Sequence, residues 1–155
     1  MNWLKTMKPD LIRRLNEKGF ETSEGKLCKN AIHVKGSGLL NNAIYKHGYF
    51  SVQDEASMLT SEKLDPQKGD LIMDVCAAPG GKTFAIAERM DNKGLIIASD
   101  IYKRKLDIID KEAKRLGVKI VQTRTWDATR VDSSMIGKAD RVLVDAPCSG
   151  LGVIR

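Results

Sequence analysis

The sequence predicts an α/β fold: an open, doubly wound parallel sheet over residues 51–155, behind a small α+β module at 1–50. Three observations predict it. From residue 70 onward, short apolar runs alternate with stretches of helical periodicity, the pattern of repeated strand–helix units. The runs are nearly continuous rather than alternating, so helices are expected on both faces of the sheet. Aspartates, or a glycine loop, recur at the carboxyl ends of the runs, where an open parallel sheet builds its site.

In chain order, Pro9 followed by Leu11, Ile12 and Leu15, with Gly19 beyond, gives a short amphipathic helix with a proline start and a glycine stop. After the turn-like Glu24-Gly25, a strand is expected from Leu27 to Val34, broken by Gly36-Ser37-Gly38. Asp54 is placed to cap a helix through Ala56, Met58, Leu59 and Glu62, ended by Asp65-Pro66. Leu71–Val75 is the first apolar run and leads into Pro79-Gly80-Gly81, after which Phe84, Ala87 and Met90 mark one helical face. Leu95–Ala98 is the second run, ending at Ser99-Asp100. Leu106, Ile109, Ala113 and Leu116 form the next helical face before Gly117; Val118–Val121 is the third run and Arg141–Asp145 the fourth.

Composition narrows the function classes. The 155 residues suit one compact unit, or one with a small appendage, and the net charge of +6 is unevenly placed. Residues 1–50 hold nine basic and four acidic side chains, a net +5, so an acidic partner such as nucleic acid competes there with a plain solvated face. Three widely spaced cysteines, 28, 76 and 148, contain no C-x-x-C pair, which argues against a disulfide framework or a zinc site and for a reducing cytoplasm. No apolar run approaches the length of a signal peptide or a membrane span.

The chemistry gathers at the strand ends. Asp100 follows Gly80 by 20 residues, the spacing at which an acid accepts hydrogen bonds from a ribose, which implies a bound adenosine. Cys76–Thr83 reads C-A-A-P-G-G-K-T, a phosphate-binding loop with cysteine where the first glycine belongs, so a P-loop NTPase is the alternative at this point. Asp145-Ala146-Pro147-Cys148-Ser149-Gly150 sets a cysteine beside an acid at a strand end, a setting for nucleophilic or acid/base chemistry.

The blocks F-S-V-Q-D-E-A-S (50–57), D-V-C-A-A-P-G-G-K-T (74–83) and D-A-P-C-S-G-L-G-V-I-R (145–155) closely resemble the RNA cytosine-5 methyltransferases of the Nop/Sun family, most of all the bacterial Sun (RsmB) type that modifies 16S ribosomal RNA. The resemblance implies a Rossmann-like methyltransferase fold, here with about its first four strands, and S-adenosylmethionine as cofactor. It implies Cys76, Ala77, Ala78, Pro79, Gly80, Gly81 and Lys82 around the methionine moiety, Asp100 on the ribose, Asp127 near the adenine and Asp145 at the reacting centre. In such enzymes a thiolate adds to carbon 6 of cytosine, which makes carbon 5 nucleophilic enough to accept a methyl group. An acid, the role implied for Asp145, stabilises the developing charge.

By the same resemblance Cys148 is the auxiliary cysteine that assists product release, while the attacking cysteine belongs to a later motif that this sequence lacks. The expectation is therefore a cofactor-binding fragment without turnover of its own, or an S-adenosylmethionine- and RNA-binding module. The fourth strand is expected to carry an unpaired apolar edge open to self-association. The basic first fifty residues are the expected RNA clamp, with Tyr45, Tyr49 and Phe50 at the seam as stacking candidates and Phe50 better suited to packing. No metal and no membrane partner are expected.

Overall fold

The computed structural model describes residues 1–146, so Cys148 and the end of the last motif block lie outside the described residues. The elements run α1 (Lys8–Glu17), β1 (Glu21–Glu24), β2 (Ile32–Lys35), α2 (Ala43–Lys46), α3 (Glu55–Lys63), β3 (Leu71–Asp74), α4 (Gly81–Arg89), β4 (Leu95–Asp100), α5 (Lys103–Leu116), β5 (Val121–Thr125) and β6 (Arg141–Leu143).

Pro9 sits in the first turn of α1, where its missing N–H costs nothing, and Leu11 and Leu15, one turn apart, are buried. They pack with Phe20, Ile44 and Phe50 into a small core. The single strand expected at Leu27–Val34 is corrected to an antiparallel hairpin, with Thr22 opposite Val34 and Glu24 opposite Ile32. Its first strand, E-T-S-E, has no apolar residue to announce it, and residues 25–31, including the expected strand start at Leu27, form the connection instead.

The larger body is a parallel sheet in the order β5-β4-β3-β6. The chain leaves β3 toward β4 on one side and later returns to its other side as β6. The strand order therefore reverses between β3 and β6, and ligands of open α/β sheets bind outside the carboxyl ends at such a reversal. Ile72, Ile96, Ala98 and Leu143 face α4 and α5 and form one core with Phe84, Ile86, Met90, Leu106, Ile109 and Leu116. Arg141 pins β6 in register by donating to Asp70 Oδ2 (2.7 Å) and to the Leu64 carbonyl (2.9 Å).

Three expectations change. The third strand is β5 at Val121–Thr125 rather than Val118–Val121; Val118 and Ile120 are buried in the connection that precedes it. The fourth is Arg141–Leu143, shorter than expected. Helices on both faces are also not found among the described residues. The face bearing Ile72 and Ile96 is buried, whereas Met73 and Ile97 on the other face are only partly covered and Val142 is 49% exposed. Among the described residues no strand pairs with the outer edge of β6.

Polar contacts join the two bodies. The wholly buried Asn2 side chain donates to the carbonyls of Gly48 (2.8 Å) and Leu116 (2.7 Å). The Arg115 guanidinium lies 3.8 Å from the centre of the Tyr45 ring and donates to the Phe50 carbonyl (3.2 Å). Tyr45 and Tyr49 are thus both engaged by arginines, Tyr49 by Arg14 at 5.0 Å, and Phe50 is buried. Among the described residues no helix is long and apolar enough to cross a membrane.

Candidate active site

The site is organised by the loop after β3. Its backbone is locked to both neighbouring strands, with Val75 N–H donating to the Leu143 carbonyl (3.1 Å) and Ala77 N–H to that of Ser99 (2.9 Å). Gly80 then turns the chain into α4 at φ +105°, and a Cβ there would come within 2.6 Å of the Phe84 ring. The left-handed turn into α4, with the Phe84 ring packed over it, thus requires this glycine.

Two cavities open at the strand ends, and they divide the set of residues expected to act together. The larger, about 770 Å³, is lined by Cys76, Ala78, Asp100, Trp126, Asp127 and Asp145. Its size is within the range of cofactor sites. Asp100, nearly buried, accepts from the Tyr102 N–H through Oδ1 (3.0 Å), and no hydrogen bond among the described residues takes Oδ2. Asp127 accepts from the Thr129 hydroxyl (2.7 Å) and N–H (3.0 Å), and these bonds hold its carboxyl below the usual carboxylate range.

The smaller cavity, about 210 Å³, lies beside it and takes Ala77, Pro79, Gly81 and Lys82 as walls. Cys76, Ala78 and Asp145 line both cavities, whereas Gly80 lines neither. Lys82 Nζ lies 2.6 Å from Asp145 Oδ2 and donates to Ser57 Oγ (3.3 Å), so this lysine ties α3, α4 and the end of β6 together. At the base sits Asp74, 1% exposed, accepting from Thr83 Oγ1 at 2.6 Å. Burial outweighs that bond and pushes the Asp74 carboxyl up to about 6. Burial, followed by the charges of Asp74, Asp100 and Asp145, also raises the Cys76 thiol, so Cys76 is not an activated nucleophile.

Gln53, Ser57, Asp74 and Trp126 also line these cavities, although they are not in the expected set. Gln53 and Ser57 stand in the first motif block and Asp74 opens the second, so the signal was position within a block rather than residue chemistry. Among the described residues no group of His, Cys, Asp and Glu is placed to hold a metal ion.

A family model described as 16S rRNA methyltransferase RsmB/F matches residues 61–155. The chain is 38% identical over 156 residues to the probable ribosomal RNA small subunit methyltransferase B of Bacillus subtilis, covering all of this chain and 35% of that protein. Among solved structures it is similar to PH0851, with TM-score 0.90 and 37% identity over 98% of this chain and 35% of that one. It is also similar to NSun6 from Pyrococcus horikoshii with SFG, with TM-score 0.85 and 25% identity over 97% of this chain and 62% of that one. The chain thus spans about a third of the length of the curated relative, and its sheet is the α/β Rossmann-like methyltransferase fold. On the family match and these likenesses together, the chain belongs to the 16S rRNA methyltransferase RsmB/F family.

Proposed function

We propose that the chain holds S-adenosylmethionine in the larger cavity and receives a cytosine of ribosomal RNA, 16S in particular, in the smaller one, for methylation at carbon 5. The observation that carries this reading is the position of Asp145, in the wall between a cavity with a ribose-spaced buried acid and a second, polar cavity. The relative solved with SFG, an S-adenosylmethionine analogue, supports the choice of cofactor.

The residues fit that cofactor. Asp100 offers an unengaged carboxylate oxygen for ribose hydroxyls, Asp127 is an ionised acceptor for the adenine amine, and Cys76 and Ala78 border the path to Asp145. The cofactor supplies a methyl group attached to a positively charged sulfur. The chain's own residues orient the acceptor: Asp145, held by Lys82, meets the polar edge of the base, and Ser57 fixes the lysine. Cys148 is the proposed auxiliary cysteine. Residues 1–50 are proposed as an RNA-facing module of their own, with 51–155 as the methyltransferase part. The apolar edge of β6 is proposed as a surface for self-association.

The P-loop alternative loses ground because Lys82 is committed to Asp145 and Ser57. Calorimetry with S-adenosylhomocysteine tests the proposal. The parent binds, and Asp100→Ala weakens binding by about tenfold to a hundredfold, the range for a lost hydrogen bond to a charged group. No heat with the parent, or magnesium-dependent ATP binding in its place, would overturn it. Tighter binding of the chain to 16S than to 23S ribosomal RNA tests the choice of substrate, and labelled methyl transfer into cytosine by the chain alone would overturn the expectation that it has no turnover of its own.

A further inference from the structure

A polar atom buried without a partner is costly, and native proteins keep few of them. Among the described residues two buried side-chain atoms have no hydrogen-bond partner, Gln53 Nε2 and Asp74 Oδ1. Both residues line the same cavity, the smaller one beside Asp145. Asp74 is 1% exposed and one oxygen is taken by Thr83; Oδ1 has no hydrogen bond of normal geometry, and the backbone N–H of Cys76 nearby only partly offsets the cost of burying the charge. Gln53 packs over the start of α4, with Nε2 3.6 Å from where a Gly81 Cβ would stand.

The walls of the cavity thus hold one donor and one acceptor without partners, which a ligand of matching order would satisfy. At about 210 Å³ against 770 Å³ for its neighbour, it suits a single ring rather than a nucleoside. The polar edge of cytosine has the required order, an amine donor beside the ring acceptors N3 and O2. Uracil presents a carbonyl where cytosine has the amine, which would set an acceptor against the carboxylates of Asp74 and Asp145.

We propose that Gln53 is a specificity residue for the acceptor base: its Nε2 donates to the N3–O2 side of cytosine while Asp74 Oδ1 accepts from the amine. The two unpartnered atoms are then satisfied when cytosine is seated. This rests on the two-cavity reading above, and the test separates the two.

Protein saturated with S-adenosylhomocysteine is titrated with cytidine 5′-monophosphate and, separately, uridine 5′-monophosphate, following amide resonances of Gly81 and Lys82 and the Gln53 side chain. The parent is expected to respond to the cytidine nucleotide and at least tenfold more weakly to the uridine one. Gln53→Glu, which keeps the shape and replaces the donor by an acceptor, is expected to lose about tenfold toward cytidine. Its affinity for S-adenosylhomocysteine should stay unchanged, which also shows that the variant is folded; Gln53→Leu serves if Gln53→Glu does not fold. Equal response to both nucleotides, an unchanged cytidine response in the variant, or no cytidine response by the parent with the cofactor site filled overturns the role of Gln53. Failure of the parent to bind S-adenosylhomocysteine overturns the two-cavity reading itself.

Discussion

Replacing Asp74 by asparagine isolates the energetic consequence of a buried carboxylate under the site. Burial raises this group from its ordinary 3.8 to about 6. Such a group favours folding most while it is protonated, below its unfolded value, and that advantage is lost as the pH rises through the folded value. A rise of this size corresponds to about 3 kcal/mol. Because a little of the loss has already occurred by pH 4, about 2.5 kcal/mol of it falls between pH 4 and pH 8. An asparagine side chain cannot titrate, so the stability of Asp74→Asn minus that of the parent should grow by about 2.5 kcal/mol over this interval. Urea unfolding at both pH values measures the quantity. The bond from Thr83 favours the ionised carboxyl and is already contained in its shifted value, whereas the bonds made by the asparagine do not change with pH and cancel between the two measurements. The parent's own pH profile would not serve, because burial also pushes Glu88 up to about 7. A difference that stays flat between the two pH values would refute the reasoning and mean that water reaches the carboxylate.

Other perturbations test the supports of the site. Glu55 accepts from the N–H groups of Cys28 (2.8 Å), Leu27 (2.6 Å) and Lys26 (3.1 Å), and these bonds lower its carboxyl to about 2. Its contribution is present above its ordinary 4.5 and lost as pH falls toward 2, so Glu55→Gln should lower the urea midpoint at pH 7 with a gap that closes on acidification. A gap that does not narrow would show that the bonds to the loop are unimportant. Gly80→Ala should cost about 1–3 kcal/mol for the left-handed backbone, with more for the Phe84 contact. Gly48→Ala should cost more still, since a Cβ there would lie 1.9 Å from the Arg115 carbonyl oxygen, a backbone atom that cannot step aside as a ring can. Thermal melts that rank the two in the opposite order would contradict this account.

The sheet was legible because buried parallel strands read as apolar runs, and β3 and β4 fall where Leu71–Val75 and Leu95–Ala98 indicated. The misplaced strands share a cause. E-T-S-E in β1 and V-Q-T-R-T in β5 lie in a small exposed hairpin and at a sheet edge, where hydrogen bonding to a neighbour decides the conformation and little side chain is buried. Conversely, Val118 and Ile120 are apolar because they seal the end of the core, whatever their backbone does. The helices were clearer, since Asp54 caps α3 through the Ser57 N–H as expected and Gly117 ends α5 in the left-handed region. Of the site, the second motif block marked the loop and the spacing from Gly80 marked Asp100, but neither could divide the expected residues between two cavities, because that division depends on how α3 and the first motif block pack beside the loop.

That packing gives α3 a consequence larger than its length. Its first residue, Glu55, grips the loop at 26–28 of the basic N-terminal body, and Ser57, two positions on, accepts from Lys82, which holds Asp145. Asp54 caps the same turn through the N–H of Ser57 and also accepts from its hydroxyl, so rotating that hydroxyl away from the lysine gives up a second bond to Asp54 while the backbone cap stays. Gln53 immediately precedes that cap. The short stretch from Gln53 to Ser57 thus connects a candidate RNA-binding surface, a helix start and the wall of the acceptor cavity. A displacement of the loop held by Glu55 therefore has a physical route, through the first turn of α3, to Ser57, Lys82 and the geometry around Asp145.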